Sequence, residues 1–176
     1  MQNLGSALSL IRTIPDYPKP GIIFKDITPL LADGSSLAVI IDEMNKVITG
    51  ETIIAGVEAR GFILASAMAA RAELGFVPIR KAGKLPFTVL ERSYGLEYGE
   101  DVIQVHTDAF AGHKNVLLVD DVLATGGTIS AAINLIKDAG ANLRSVVVLL
   151  EIMDLGGRAR ILRDHPDVQV IALATA

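Results

Sequence analysis

Residues 116–128 read Val-Leu-Leu-Val-Asp-Asp-Val-Leu-Ala-Thr-Gly-Gly-Thr, and this run limits the possible folds more than any other stretch. Val116, Leu117, Leu118 and Val119 form a short unbroken apolar segment, the pattern of a strand buried on both faces. Such a strand needs a parallel sheet covered by helices. A helix is expected from about Gly127, because Ile129, Ala132, Ile133 and Ile136 recur at i, i+3, i+4 and i+7. Ser130, Asn134 and Lys137 fall on its other side, and Gly140 stands where a C-terminal cap belongs. The expected local order is strand, acidic turn, helix.

The turn carries chemistry. Asp120 and Asp121 are followed by Thr125 and Thr128, which flank Gly126 and Gly127. Glycines let backbone N–H groups approach a ligand, and a helix N-terminus adds unpaired donors and the positive end of a dipole. A phosphate suits that cradle. The two carboxylates would repel a phosphate placed on them, so sugar hydroxyls, which donate to carboxylates, are their natural partners. A helix cap alone needs one acidic or hydroxyl residue, and this turn has four. Paired aspartates after an apolar strand also suit a nucleotide hydrolase, but no G-x-x-x-x-G-K-[ST] occurs. The G-x-G-x-x-G of a dinucleotide fold is missing too.

A chain of 176 residues fits one domain, and 51% hydrophobic residues argue for a filled core rather than disorder. Without cysteine there is no disulfide framework and no thiolate metal site, which fits a reducing compartment. Residues 1–14 lack the basic and apolar regions of a secretory signal, and no apolar run approaches the roughly 18 to 20 residues of a membrane span. A soluble, cytoplasmic protein is expected. The net charge of −4 offers no global attraction to nucleic acid, so an anionic ligand must be held by local cations and backbone dipoles.

Along the rest of the chain, 3–12 reads as a short helix stopped by Pro15, Pro18 and Pro20. The proline-bracketed stretch 20–31 reads as extended. A helix is expected over 35–47 with Ser35 or Ser36 near its N-cap, then a buried strand over 53–57. That strand ends in Glu58-Ala59-Arg60-Gly61-Phe62, and an alanine-rich helix follows to Gly75. Arg60 opposes the helix dipole there, which suggests an anion nearby. Strand 77–80 leads into an arm with Lys81 and Lys84 between glycine and proline, a composition suited to anions. Residues 88–90 suit a strand and 93–99 a mobile hairpin tip. Strands over 102–106 and 145–150, a basic helix over 156–162 and an edge strand over 168–173 complete the pattern. His106, His113 and His165 are too scattered for metal or triad chemistry.

The stretch 116–128 resembles the phosphoribosyl pyrophosphate signature of the type I phosphoribosyltransferases, D-D-x-x-[AT]-T-G-G-T after apolar residues. Three further motifs resemble the adenine-specific branch of that family, in its order: P-G-[IV]-x-F-[KR]-D-I-[ST]-P at 20–29, A-R-G-F at 59–62 with an acidic residue before it, and Y-x-L-E-Y-G at 94–99. The R-K-x-G-K-L-P arm at 80–86 matches as well.

The resemblance implies an α/β fold with a parallel central sheet flanked by helices, a small N-terminal hood mainly over 1–34 and a flexible lid over about 81–101. It implies conversion of adenine and 5-phosphoribosyl 1-pyrophosphate to AMP and pyrophosphate, a step of purine salvage, by a homodimer with Mg²⁺ carried on the substrate. Asp120 and Asp121 would hold the ribose hydroxyls, and Ala124, Thr125, Gly126, Gly127 and Thr128 the 5′-phosphate. The main chain of Ile23 and Lys25 would read the adenine edge, with Phe24 and Ile152 on its two faces. The backbone of Glu58 and Ala59, with Arg60 and Lys81, would meet pyrophosphate, Lys84 would help close the loop, and Arg80 would reach a dimer interface. Glu97 would be the catalytic carboxylate and Tyr98 a lid residue. In that family the Glu58–Ala59 bond is often cis. A transferase for xanthine or orotate would share the central stretch without the hood motif, and a non-enzymatic regulator would add a DNA-binding domain or basic face.

Overall fold

The computed structural model describes residues 3–96, 99–113 and 115–176. Its contacts cluster into two compact units, Met1–Lys46 and Val47–Ala176. The first therefore extends beyond the expected hood boundary at residue 34 and takes in a whole further helix.

In the first unit, helix α1 (Leu4–Leu8) is capped by Asn3, whose side chain accepts from the Ser6 amide. It is shorter than the expected 3–12. Strands β1 (Arg12–Ile14) and β2 (Phe24–Asp26) pair antiparallel, with Ile14 opposite Phe24 and Thr13 opposite Lys25. The extended reading of 20–31 holds only as far as Asp26. Its carboxylate accepts from the Thr28 amide at 2.9 Å, and helix α2 (Thr28–Ala32) begins there with proline in its first turn. Proline at that position loses no hydrogen bond, so a residue read as a breaker serves as a starter. Helix α3 (Gly34–Asn45) is capped by Asp33, not by Ser35 or Ser36: its carboxylate accepts from the Ser36 amide at 2.7 Å. Ala7, Leu30, Ile40 and Met44 are fully buried in this unit.

The second unit is a seven-stranded sheet in the order β5-β6-β4-β3-β7-β8-β9. Strands β3 (Ile53–Val57), β4 (Gly75–Lys81), β7 (Asn115–Leu123), β8 (Asn142–Glu151) and β9 (Gln169–Thr175) form its parallel part. Strands β5 (Val89–Leu96) and β6 (Gly99–His106) form a hairpin that adds antiparallel to β4 at one edge. Much of the stretch expected as a lid is thus regular hairpin, and the irregular part with described placement is 82–88.

Side-chain alternation covers both faces. Ile53, Ala55, Val57, Val116, Leu118, Val146 and Val148 join one core with residues of α5 (Gly127–Asp138) and α6 (Gly157–Asp164). The alternate residues Ile54, Leu117, Val119, Val147 and Leu149 are equally buried. On that second face α4 (Arg60–Ala72) packs on β3 and β7. The approach is close because both surfaces are small: a Cβ on Gly56 would lie 2.6 Å from the Ala65 Cβ. The strand order reverses between β3 and β7, which is where ligands of open α/β sheets sit, beyond the carboxyl ends of the strands.

Candidate active site

Both strand-to-helix junctions at that reversal carry the expected residues. Strand β7 does not stop at Val119. It stays paired with β8 as far as Leu123 opposite Glu151, so Asp120 and Asp121 are strand residues and the turn proper is 124–126. An apolar-to-acidic boundary reads as a strand end, but the ladder is made by backbone groups that all residues share.

The two carboxylates have different surroundings. Asp121 is 5% exposed, with its Oδ2 2.8 Å from Arg60 Nε, close but not aligned as a hydrogen bond. Arg60 therefore has an anion beside it within the protein, which balances its unfavourable place at the start of α4. Burial still holds the Asp121 carboxyl above the usual carboxylate range, against the pull of Arg60. Asp120 is half-buried, and its Oδ1 accepts from the Asp121 amide at 2.9 Å. Desolvation, and then the neighbouring Asp121 charge, push its carboxyl well up. A Cβ on Gly61 would stand 2.8 Å from Asp120 Oδ1, so the second junction needs glycine to let α4 start against β7.

The cradle itself is backbone. Gly126, at φ 78°, is the N-cap of α5, and no side chain caps that helix. Neither aspartate nor threonine performs the capping that would have explained them structurally. Asp120, Val122, Leu123, Ala124, Thr125, Gly126, Gly127, Thr128 and Ile129 line one cavity, which brings together the expected phosphoribosyl set except Asp121, buried beside Arg60 and outside that lining. The loop is braced from α6. A Cβ on Gly126 would lie 2.8 Å from the Gly157 carbonyl, and any Cβ on Gly157 would overlap the Ala124 carbonyl. Arg158, next along α6, makes an ion pair with buried Glu151 and donates to the Val170 carbonyl at 2.6 Å. The Ile152 amide donates to the Leu123 carbonyl at 2.9 Å, which ties the expected base-contact residue to the end of β7.

At the other junction the Glu58–Ala59 peptide is cis, as the resemblance implies. Glu58 does not present its charge to a ligand. Its carboxylate meets Lys84 Nζ at 2.5 Å and Arg80 Nε at 3.4 Å, and accepts from the Lys81 amide at 2.9 Å. Those partners hold the carboxyl below its ordinary range although burial opposes them. Arg80 also donates to the Lys84 carbonyl at 3.1 Å, so it engages its own arm. Lys81 Nζ donates to Asp101 Oδ2 at 3.1 Å. Arg60, Arg80, Lys81 and Lys84 thus each stand beside a carboxylate of the chain.

In the first unit Phe24 is half-buried and meets Tyr17 edge-to-face, ring centroids 5.1 Å apart. Ile23 is 62% exposed, and Lys25 Nζ donates to Thr13 Oγ1 at 3.1 Å. Glu97 and Tyr98 lie outside the described residues. Three contributors were not singled out from the sequence: Gly157, Arg158 and Asp101. Only the Gly156-Gly157 pair gave a local signal.

The profile of the phosphoribosyl transferase domain family matches residues 24–173. Adenine phosphoribosyltransferase of Parvibaculum lavamentivorans is 48% identical over 167 residues, covering 94% of each chain. That of Symbiobacterium thermophilum is 54% identical over 165 residues, covering 93% of this chain and 96% of its own. Among solved structures, the adenine phosphoribosyltransferase of Thermoanaerobacter pseudethanolicus superposes with a TM-score of 0.91 at 41% identity, covering 99% and 100% of the two chains. The Giardia lamblia enzyme complexed with 9-deazaadenine gives 0.92 at 37% identity, covering 100% and 99%. Motifs, sheet order and these likenesses agree, and the chain belongs to the phosphoribosyltransferase family, among its adenine phosphoribosyltransferases.

Proposed function

We propose that this protein transfers the phosphoribosyl group of 5-phosphoribosyl 1-pyrophosphate to N9 of adenine, forming AMP and pyrophosphate in purine salvage. The observation that carries the reading is the uncapped N-terminus of α5 behind Asp120 and Asp121, a phosphate cradle beside hydroxyl acceptors. The adenine part rests on the hood motif at 20–29 and on the relatives' activity.

The roles follow from charge and donor inventory. Backbone amides of 125–128 hold the 5′-phosphate, and Asp120 and Asp121 accept from the ribose hydroxyls. When the bond from C1′ to the pyrophosphate oxygen breaks, its electron pair leaves with pyrophosphate and C1′ becomes oxocarbenium-like. Arg60, Lys81 and backbone amides of the 58–61 turn then meet charge that grows on the leaving group, where fixed donors contribute most. N9 donates its lone pair to C1′ and gives up its proton. Glu97 serves that step, as acceptor of the proton or as polariser of the ring at N7.

Among the described residues no three ligand side chains cluster, whereas Mg²⁺ commonly binds one or two carboxylates plus substrate phosphates. With Asp120 and Asp121 assigned to the ribose, the ion would enter on the donor's diphosphate rather than in a site of the chain's own. Mg²⁺ would neutralise the diphosphate and make it a better leaving group. A homodimer and a cytoplasmic setting complete the proposal; no helix of the described residues is long and apolar enough to cross a membrane. Sedimentation at micromolar concentration tests the dimer. The central test is a base panel with Mg²⁺ and the donor: AMP formation from adenine is expected, and preference for guanine, xanthine or orotate would overturn the acceptor. A chain that binds donor and turns over no base would be a regulator.

A further inference from the structure

We propose that Asp101 competes with pyrophosphate for the Lys81 ammonium, and so sets the affinity for diphosphate-bearing ligands. The inference rests on the phosphoribosyltransferase reading, and concerns a residue outside every motif that supports it.

Lys81 ends β4, where it is paired with Ile103 of β6. Two residues nearer the hairpin tip, Asp101 turns its Oδ2 to Lys81 Nζ at 3.1 Å. The same oxygen accepts from the Tyr94 hydroxyl at 3.3 Å, and Tyr94 is the cross-strand partner of Asp101. Tyr94 is itself held. Its ring packs on the core of the second unit, and a Cβ on Gly127 would lie 3.7 Å from it. Two residues back, Arg92 clamps β5 to the end of α5 through Asp138, at 2.6 and 2.8 Å. Asp101 is therefore a positioned charge rather than a freely moving surface group.

Exposure decides what this charge can do. The Lys81 and Asp101 side chains are 51% and 36% exposed, so a ligand from solution can reach the pair. Ion pairs this wet are weak and displaceable. Pyrophosphate carries more negative charge than one carboxylate and takes the ammonium, but it must displace Asp101 and then sit beside it. Glu58 differs. Its side chain is only 9% exposed and it also accepts a backbone amide, so it organises the arm and is not displaced. Asp101 costs donor affinity and, by the same repulsion, favours release of product pyrophosphate.

The test is calorimetric titration of the full chain with Mg-pyrophosphate and, separately, with ribose 5-phosphate. Asp101→Asn is expected to tighten pyrophosphate about threefold, within the range of exposed ion pairs, and to leave ribose 5-phosphate unchanged. In a Lys81→Ala background, itself weaker for pyrophosphate, Asp101→Asn should gain clearly less than in the unmodified chain, since only the direct repulsion is then relieved. If Lys81→Ala weakens pyrophosphate but Asp101→Asn leaves it unchanged or weaker, the competition is overturned and the function stands. Equal tightening of ribose 5-phosphate would also overturn it, since the effect would then not run through Lys81. Pyrophosphate affinity unaffected by Lys81→Ala would remove the Lys81 assignment and the inference together.

Discussion

The cradle at 124–128 and the arm at 80–84 both suit phosphate, and they are built in opposite ways. Main chain makes the cradle: a left-handed glycine, an uncapped helix start and a brace from Gly157. Its donors have fixed directions before any ligand arrives. Long cations make the arm, each resting against a carboxylate in the free protein. The first arrangement suits a group that stays bound throughout the reaction, and the second a group that must leave. Preorganised dipoles need no rearrangement at the moment of reaction, whereas cations with alternative partners can let go.

That contrast can be broken in several places. The largest effect is expected from Asp120→Asn with Asp121→Asn, which leaves the fixed site without its sugar acceptors; donor affinity should fall more than about 100-fold, as for charged hydrogen bonds lost together. Donor binding that survives in a titration would sink the hydroxyl assignment. Glu97→Ala should lower kcat about 100-fold with adenine KM little changed, the usual scale of one general acid or base; equal turnover would reject a chemical role.

Gly126→Ala comes next. A side chain in the left-handed region costs about 1–2 kcal/mol, and here it also meets the Gly157 carbonyl, so about tenfold weaker ribose 5-phosphate binding is expected. Lys81→Ala should weaken pyrophosphate only about three- to fivefold, on the scale of an exposed ion pair, and the loss should shrink with added salt while the Gly126 effect does not. Equal salt sensitivity in the two variants would erase the distinction between cradle and arm.

The smallest effect is on stability and pH. Burial and Asp121 raise the Asp120 carboxyl well above its ordinary value, so its acceptor is lost as pH falls through that raised value. Donor binding should weaken correspondingly, and Asp120→Asn should flatten the profile. The raised value also means that the stabilising, protonated form is lost as pH rises through it. Asp120→Asn should therefore raise Tm at neutral pH by about 2–4 °C per kcal/mol relieved, measured by thermal scan. A lower Tm would contradict the electrostatic account.

Most of the α/β pattern could be read in advance because buried parallel strands announce themselves as apolar runs and α5 as an i, i+3, i+4, i+7 stripe. The cradle residues were legible for a similar reason, being contiguous. Asp101 was not, since what joins it to Tyr94 and Lys81 is hairpin register, which no local pattern displays. Asp33, not Ser35 or Ser36, caps α3, and three closely spaced residues that can all cap leave no local pattern to choose between them. The partners of the Glu58 carboxylate were not legible either, since they come from the arm 22 to 26 residues later.

Gly157 illustrates how far a site extends beyond what touches its ligand. The room for one hydrogen there is fixed by a carbonyl 33 positions earlier in the chain, at Ala124. A saturation-mutagenesis survey scored on growth would class every replacement at Gly157 as loss of function, and a ligand-contact map would leave the position blank. For inhibitor design, the same feature makes the back of the loop a second handle: a compound that parts α6 from 124–126 would disable the cradle without resembling a nucleotide.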